Sequence, residues 1–186
     1  GNTADRWGGG LYCDISCDPT LTNVTISGNS ATDGIGGGIT LEFESDPILV
    51  NCILYNNTPD EVYFKAGGSN RPCTITISYS DISGGQSGIN TNNNGTVTWG
   101  SGNIDSDPLF VDATNGDYHL QSTSPCIDAG DPDLDEDGSN WYADSDDQDL
   151  DGTRLDMGAY YYHRDDPPPI PPQNLTITGA PGSVTL

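Results

Sequence analysis

Apolar and polar positions alternate along several short stretches of this chain. Thr22, Val24 and Ile26 point one way while Asn23, Thr25 and Ser27 point the other. Val50, Cys52 and Leu54 repeat the pattern, and Ile75, Ile77 and Tyr79 repeat it again after a slightly shorter gap. Period-two alternation in stretches rich in Val, Ile and Thr predicts β-strands. No window of ten residues carries a helical stripe free of Gly, Pro or Asn breakers. The chain therefore reads as short strands joined by Gly, Asn and Asp-Pro turns.

The strands belong to a repeat. Gly8, Gly9 and Gly10 recur 28 positions on as Gly36, Gly37 and Gly38, and at the same offset Ile15 maps to Phe43, Asp18-Pro19 to Asp46-Pro47 and Leu21 to Leu49. Asn23 maps to Asn51, Val24 to Cys52, Ile26 to Leu54 and Asn29 to Asn57. A strand that returns in the same direction at a fixed period predicts parallel pairing, with turns stacked ~4.8 Å apart. Inward columns Val24–Cys52–Ile77 and Ile26–Leu54–Tyr79 are expected, and Asn29 should stack amide on amide with Asn57. A β-sandwich of hairpins is the alternative, but hairpins do not explain a gap-free match of this length. The fold class is therefore all-β, a parallel β-helix or solenoid.

Several runs carry a resemblance: Gly-Gly-Gly-Leu-Tyr-Cys (8–13), Leu-Thr-Asn-Val-Thr-Ile-Ser-Gly-Asn-Ser-Ala (21–31) and Val-Asn-Cys-Ile-Leu-Tyr-Asn-Asn (50–57). Further on come residues 79–85, 102–112, 117–120, Ser-Pro-Cys-Ile-Asp-Ala-Gly (124–130) and 151–160. Together they resemble right-handed parallel β-helix repeats of bacterial surface proteins, of the choice-of-anchor type, over roughly residues 6–162. The resemblance implies a right-handed winding and an extracellular or cell-surface location. It implies little chemistry, since many members of that group have no assigned activity. The organisation expected is β-helix turns over 1–126, an Asp-rich C-terminal cap over 127–164, a Pro-rich linker over 165–172 and a short β-strand tail over 173–186. The tail, with Asn174-Leu-Thr-Ile-Thr178 and Ser183-Val-Thr-Leu186, resembles the opening of a fibronectin type III module. The chain reads as a segment of a longer secreted polypeptide.

Composition narrows the partners. Of 186 residues, 33% are hydrophobic and 24 are Gly, which suits a solenoid whose turns bury only an inner face. There are 28 Asp and Glu against 5 Lys and Arg, a formal charge of −23. Such a surface repels nucleic acid and anionic membranes, and acidic polysaccharides unless a cation bridges them. No run is apolar and long enough to insert into a membrane. Of five cysteines, Cys52 reads as a core residue and Cys126 as a buried thiol. Cys13 and Cys17, four apart across a short bend, are candidates for a local disulfide. No Cys and His pair has zinc-ligand spacing.

The acidic residues concentrate between Asp128 and Asp156. Within this stretch Asp133, Asp135 and Asp137, Gly138, Ser139 and Asp144 fall at positions 1, 3, 5, 6, 7 and 12 of an EF-hand-type calcium loop. Asp at position 12 is shorter than the usual Glu. A second set, Asp147, Asp149 and Asp151 followed by Gly152, repeats the first half but has Gly158 at position 12. The stretch also resembles the Asp-rich repeats of thrombospondin-type calcium modules. Two carboxylates ~5 Å apart repel by roughly 1–3 kcal/mol, so packing them on one loop calls for a cation. A structural Ca2+ folding the cap over the last turn is expected, with a solvated acidic linker as the alternative. Gly138 at the turn position and Trp141 and Tyr142 as packing residues favour the metal.

Other chemistry is thin. Arg154 has two readings, a base of the kind some β-helix lyases use beside calcium, or an ion-pair partner of Asp156 and its neighbours. His119 falls in the alternating run Asp117–Gln121 and reads as a strand residue. No nucleophile elbow, phosphate loop or dinucleotide fingerprint is present. Trp7, Tyr12, Tyr55, Tyr63, Phe64 and Trp99 have two readings, sugar-stacking platforms or packing residues. The segment Ser83–Gly102 reads as a looped excursion suited to binding. The function expected is a non-catalytic extracellular structural or adhesive protein, self-associating through open strand edges. A polysaccharide lyase, a glycosidase or a glycan-binding module are the alternatives.

Overall fold

The computed structural model describes residues 1–66 and 71–164. The Pro-rich run 165–172 and the tail 173–186 lie outside the described residues. The first repeat holds β1 (Thr3–Ala4), β2 (Leu11–Cys13), β3 (Thr20–Thr22) and β4 (Thr25–Ser27). The second holds β5 (Ser30–Ala31), β6 (Ile39–Leu41), β7 (Ile48–Val50) and β8 (Ile53–Tyr55). The third holds β9 (Val62–Phe64), β10 (Cys73–Ser78) and β11 (Asp81–Ile82), and β12 (Gly95–Trp99) opens a fourth. An antiparallel pair follows, β13 (Phe110–Asp112) with β14 (Asp117–Leu120). Among the described residues there is no α-helix, only short 3-10 turns.

Pairing between repeats is parallel. One sheet has the order β2-β6-β9, a second β3-β7-β10-β12 and a third β4-β8-β11. Leu11 pairs with Ile39, Leu21 with Leu49 and Ile26 with Leu54, all at the offset of 28 visible in the sequence. The inward side chains of the three sheets meet in one core. It contains Cys13, Leu41 and Phe64 from the first sheet, Leu49, Ile75 and Ile77 from the second, and Ile26, Leu54 and Ile82 from the third.

The expected columns need correcting in detail. Ile77 stands on Leu49, not on Cys52, and Ile82 stands on Leu54 where Tyr79 was expected. Cys52 meets Ser80, whose hydroxyl accepts the Cys52 N–H at 3.0 Å. The cause is a corner. Asn23, Asn51 and Tyr79 have φ of 54°, 54° and 46°, so what reads as one alternating strand is two short strands joined at a left-handed residue. Asn takes that conformation readily; Tyr79 occupies the same corner without advertising it. The segment Ser83–Gly102 is likewise not a simple excursion. It returns through a bridge from Asn90 to Tyr63 and supplies β12 to the second sheet.

Asn29 and Asn57 stack as expected. Asn57 Oδ1 accepts from both the backbone N–H and the Nδ2 of Asn29, at 2.9 and 2.8 Å, and Asn29 Oδ1 accepts from Asn2 in the same way. The ladder ends on Glu61, which takes the backbone N–H of Asn57 at 3.1 Å and its Nδ2. Cys52 and Cys126 are buried, and all five cysteines are free thiols.

Beyond Ile104 the chain leaves the parallel stack. Residues 105–162 run along the outer face of the third sheet rather than across the end of the stack. Leu120, Cys126 and Met157 pack on Ile53 in a second core, with Phe110 edge-on to Tyr55. Gly158 N–H donates to Asn51 O at 2.7 Å and Ala159 N–H to Thr25 Oγ1 at 3.0 Å. The Asp-rich segment is therefore seated against the flank of the first two repeats. The parallel pairing expected through residue 126 stops earlier, because the Asp112–Gly116 turn reverses the chain. There the Asp112 carboxylate accepts the Asn115 N–H and Gly116 has a φ of 83°.

Candidate metal centre

The flank anchors an acidic loop at both ends. Asp131 N–H donates to Asn51 Oδ1 at 2.6 Å where the loop leaves the stack, and Gly130 N–H donates to Leu155 O at 2.7 Å where it returns. Between them the chain bends at Glu136 and Gly138, with φ of 60° and 81°. The Asp133 carboxylate accepts the Gly138 N–H at 3.1 Å, and the Asp137 carboxylate accepts the Ser139 N–H at 2.7 Å. Gly138 has open space around it, so its role is conformational. The 3-10 turns Trp141–Ala143 and Ser145–Asp147 then fold the chain back.

Two overlapping groups of carboxylates result. Oxygens of Asp133, Asp135 and Asp147 lie within 4.8 Å of one another, and so do oxygens of Asp135, Asp137 and Asp144. Asp135 is common to both groups, with Asp133 on one side of it and Asp137 and Asp144 on the other. Asp147, expected to start a separate set, joins Asp133 instead. Asp149 and Asp151 belong to neither group. Ser139 contributes its N–H to the loop turn.

Asp147 is the distinctive member. It is fully buried, its Oδ1 accepts the Leu134 N–H at 2.6 Å, and its Oδ2 has no protein partner. A buried, unpartnered carboxylate oxygen is costly, and two further carboxylates lie beside it. That donor set, all hard oxygen, fits a cation such as Ca2+ and does not fit a soft metal.

Asp149 and Asp151 form a different cluster with Asp128, Asp156 and Arg164. Arg164 pairs with Asp128 and approaches Asp151 at 3.9 Å. Burial and the hydrogen bond it shares with Asp151 push Asp149 well above the ordinary carboxylate range. Burial likewise pushes Asp156 up to about 6, against the N–H groups of Tyr162 and Asp128 that it accepts. Arg154 does not form the expected ion pair with Asp156. It lies 5.6 Å from the Tyr79 ring centroid and donates to Ala129 O at 3.4 Å. Arg164, which the sequence did not single out, takes the ion-pair role.

The remaining candidates sort by environment. Phe64 is core, Tyr55 packs on Phe110, and Trp99 packs against the main core. Trp7 stands 5.6 Å from Tyr12, with Lys65 Nζ 3.8 Å from its ring centroid. Lys65 donates to both oxygens of the buried Glu42, which also accepts the Tyr12 hydroxyl. Burial and Glu42 hold the Tyr12 phenol above its ordinary range. His119 is exposed on β14, 2.7 Å from Asp117 and stacked at a tilt on Tyr160. Trp141 is half-buried, whereas Tyr142 is exposed.

Among known families, the one described as "Right handed beta helix region" matches residues 2–122. No curated protein and no solved structure matches the chain.

Proposed function

Because the chain belongs to the right-handed β-helix family, we propose that it is a non-catalytic structural or adhesive element of the cell exterior, braced by calcium. The parallel sheets close into a solenoid whose rigid outer faces serve as the contact surface. The extracellular placement rests on the likeness to bacterial surface β-helix repeats. The charge of −23 argues against nucleic acid as a partner. Self-association through the open edges of β3 and β12, the outermost strands of the second sheet, is the simplest route to a longer fibre.

The reading of the flank rests on one observation, the unpartnered Oδ2 of fully buried Asp147 beside Asp133 and Asp135. Calcium there draws further oxygens from Asp137, Asp144 and the Ser139 carbonyl to fill a shell of six to eight. The energy of binding the cation then serves as energy for seating the segment on the third sheet.

Calorimetric titration of the chelator-treated chain with CaCl2, paired with thermal unfolding, tests this. Saturable binding with a rise in Tm is expected in the wild type and is lost in Asp147→Asn. An unchanged melting curve at millimolar Ca2+ would overturn the calcium assignment. Sedimentation across a concentration series checks self-association: a species that stays monomeric to high micromolar rules it out.

A further inference from the structure

We propose that the outer face of the first sheet, with the Asn-rich turn beside it, binds a neutral β-linked polysaccharide of the cellulose, xylan or mannan type. This gives the adhesive reading its partner and rests on that reading. Of the six aromatic candidates, Phe64, Tyr55 and Trp99 are engaged in packing. Trp7, Tyr12 and Tyr63 remain, each half-buried. Tyr12, Thr40 and Tyr63 stand in register on β2, β6 and β9, and Asn90 follows Tyr63 in the next layer. The Trp7 ring lies 5.6 Å from that of Tyr12.

The rings are held in place before any ligand arrives. Buried Glu42 accepts the Tyr12 hydroxyl and the Lys65 ammonium, and Lys65 Nζ stands 3.8 Å from the Trp7 ring centroid. Side chains already ordered cost less entropy on binding.

The turn is tied to the same strand. Asn94 Nδ2 donates to Lys65 O at 2.7 Å, and Asn90 Nδ2 donates to Asp60 Oδ1 at 3.2 Å. An open concavity of about 580 Å³ results, lined by Asp60, Ser87, Asn90, Thr91, Asn92 and Asn93. Asn92 and Asn93 are exposed on left-handed backbone, with φ of 48° and 53°. Two features that are far apart in the sequence, the aromatic residues and the segment Ser83–Gly102, therefore meet at Tyr63 and Lys65.

The chemistry selects the ligand. A side-chain amide both donates and accepts, which matches sugar hydroxyls that do the same. Tyrosine and tryptophan rings offer flat apolar area to the C–H faces of pyranoses. Tyr12 and Tyr63 are two layers apart, roughly 10 Å, and an extended β-linked chain advances by about one layer per sugar. Alternate sugars would then meet the two tyrosines.

Other ligands fit poorly. A cation would find one carboxylate, Asp60, whose two oxygens already accept from Asn90 and Gly36. An acidic glycan would approach a chain of formal charge −23, with the Lys65 charge paired to Glu42. A protein partner wants an exposed apolar anchor, and Ile89, the aliphatic residue of the concavity, is buried.

Affinity electrophoresis of the folded chain in the presence of Ca2+, through gels holding hydroxyethylcellulose, xylan or galactomannan, tests this. Retardation in at least one neutral gel is expected, and none in polygalacturonate. Tyr63→Ala should weaken the retardation by about tenfold or more. Asn93→Gly removes an exposed amide and keeps the left-handed turn, so it should weaken retardation with an unchanged melting curve. Tyr160→Ala, which removes an exposed ring on the flank, should leave it unaltered. Free passage through every neutral gel, equal retardation in polygalacturonate, or full retardation of both Tyr63→Ala and Asn93→Gly would each overturn the proposal. A chain that adheres to gelatin-coated surfaces but passes the neutral gels overturns the glycan and leaves the adhesive reading standing; one that adheres to neither overturns both.

Discussion

A carboxylate with no exposed surface, such as Asp81, is where pH acts on this protein. Its oxygens accept from the Ser106 N–H at 3.0 Å and the Cys126 thiol at 3.3 Å, yet burial pushes the group from 3.8 up to about 6. The folded state therefore binds its proton more tightly than the unfolded state. Its contribution is fully favourable below about 4 and is lost as pH rises through 6. Asp81→Asn keeps an oxygen for Ser106 and removes the charge, so at pH 7 it should stabilise by about 1–3 kcal/mol. The gain should vanish near pH 4, as urea melts at the two pH values would show; a destabilised variant at pH 7 would mean the two hydrogen bonds outweigh desolvation. Asn57 shows the opposite case. Asn57→Ala leaves two N–H groups of Asn29 and one oxygen of buried Glu61 unpaired, so a loss of about 2–4 kcal/mol is expected in the same assay. Removing exposed Asn2 from the ladder should cost far less.

At the scale of elements, the Gly-Gly-Gly runs explain themselves by what surrounds them. A Cβ on Gly37 would lie 2.1 Å from Thr58 O, and one on Gly9 would lie 2.6 Å from Gly37 O. Successive repeats touch backbone to backbone here, so Gly37→Ala should destabilise by about 3 kcal/mol or more. Gly116→Ala provides the comparison: nothing stands within 4 Å, but its φ of +83° remains, and about 1–2 kcal/mol is expected. Equal losses in denaturant titrations would refute the packing argument. The same elements show what could be read beforehand. Pairings at the offset of 28 were legible in the first two repeats because identical residue types recur there. The third repeat was not, since Ile39 pairs with Val62 only 23 positions on while Thr76 keeps the offset of 28 from Ile48. Tyr79 also hides a corner that Asn23 and Asn51 mark. The closeness of Asp135, Asp137 and Asp144 was legible from spacing alone. Asp147 was read as opening a second set; its approach to Asp133 was not legible, because it depends on two 3-10 turns that no local pattern encodes.

For the molecule as a whole, stability is unevenly distributed, and the charge decides where it is weakest. The stack of three sheets shares one apolar core, whereas the flank is held by a smaller one around Met157 and by a few hydrogen bonds, two to Asn51, one to Thr25 and one from Cys126 to Asp81. Its acidic loop adds almost no apolar burial: Asp135, Glu136, Asp137 and Gly138 are all exposed. Without a cation, repulsion among these carboxylates works against the seated flank and favours local opening; with calcium bound, the same carboxylates oppose it. Opening of the flank alone leaves the main core intact, so chelation should act as a local event rather than as global unfolding. Glu136 gives a direct reporter, being a protease site inside the loop. Cleavage after Glu136 by a glutamate-specific protease should accelerate about tenfold or more when calcium is chelated, while Glu42 and Glu61, buried in the stack, stay protected and exposed Glu44 is cut at a rate that does not depend on calcium. Equal rates at Glu136 with and without calcium would show that the flank is held by packing alone. Chelation that also exposes Glu42 and Glu61 to cleavage would show that flank and stack open as one cooperative unit.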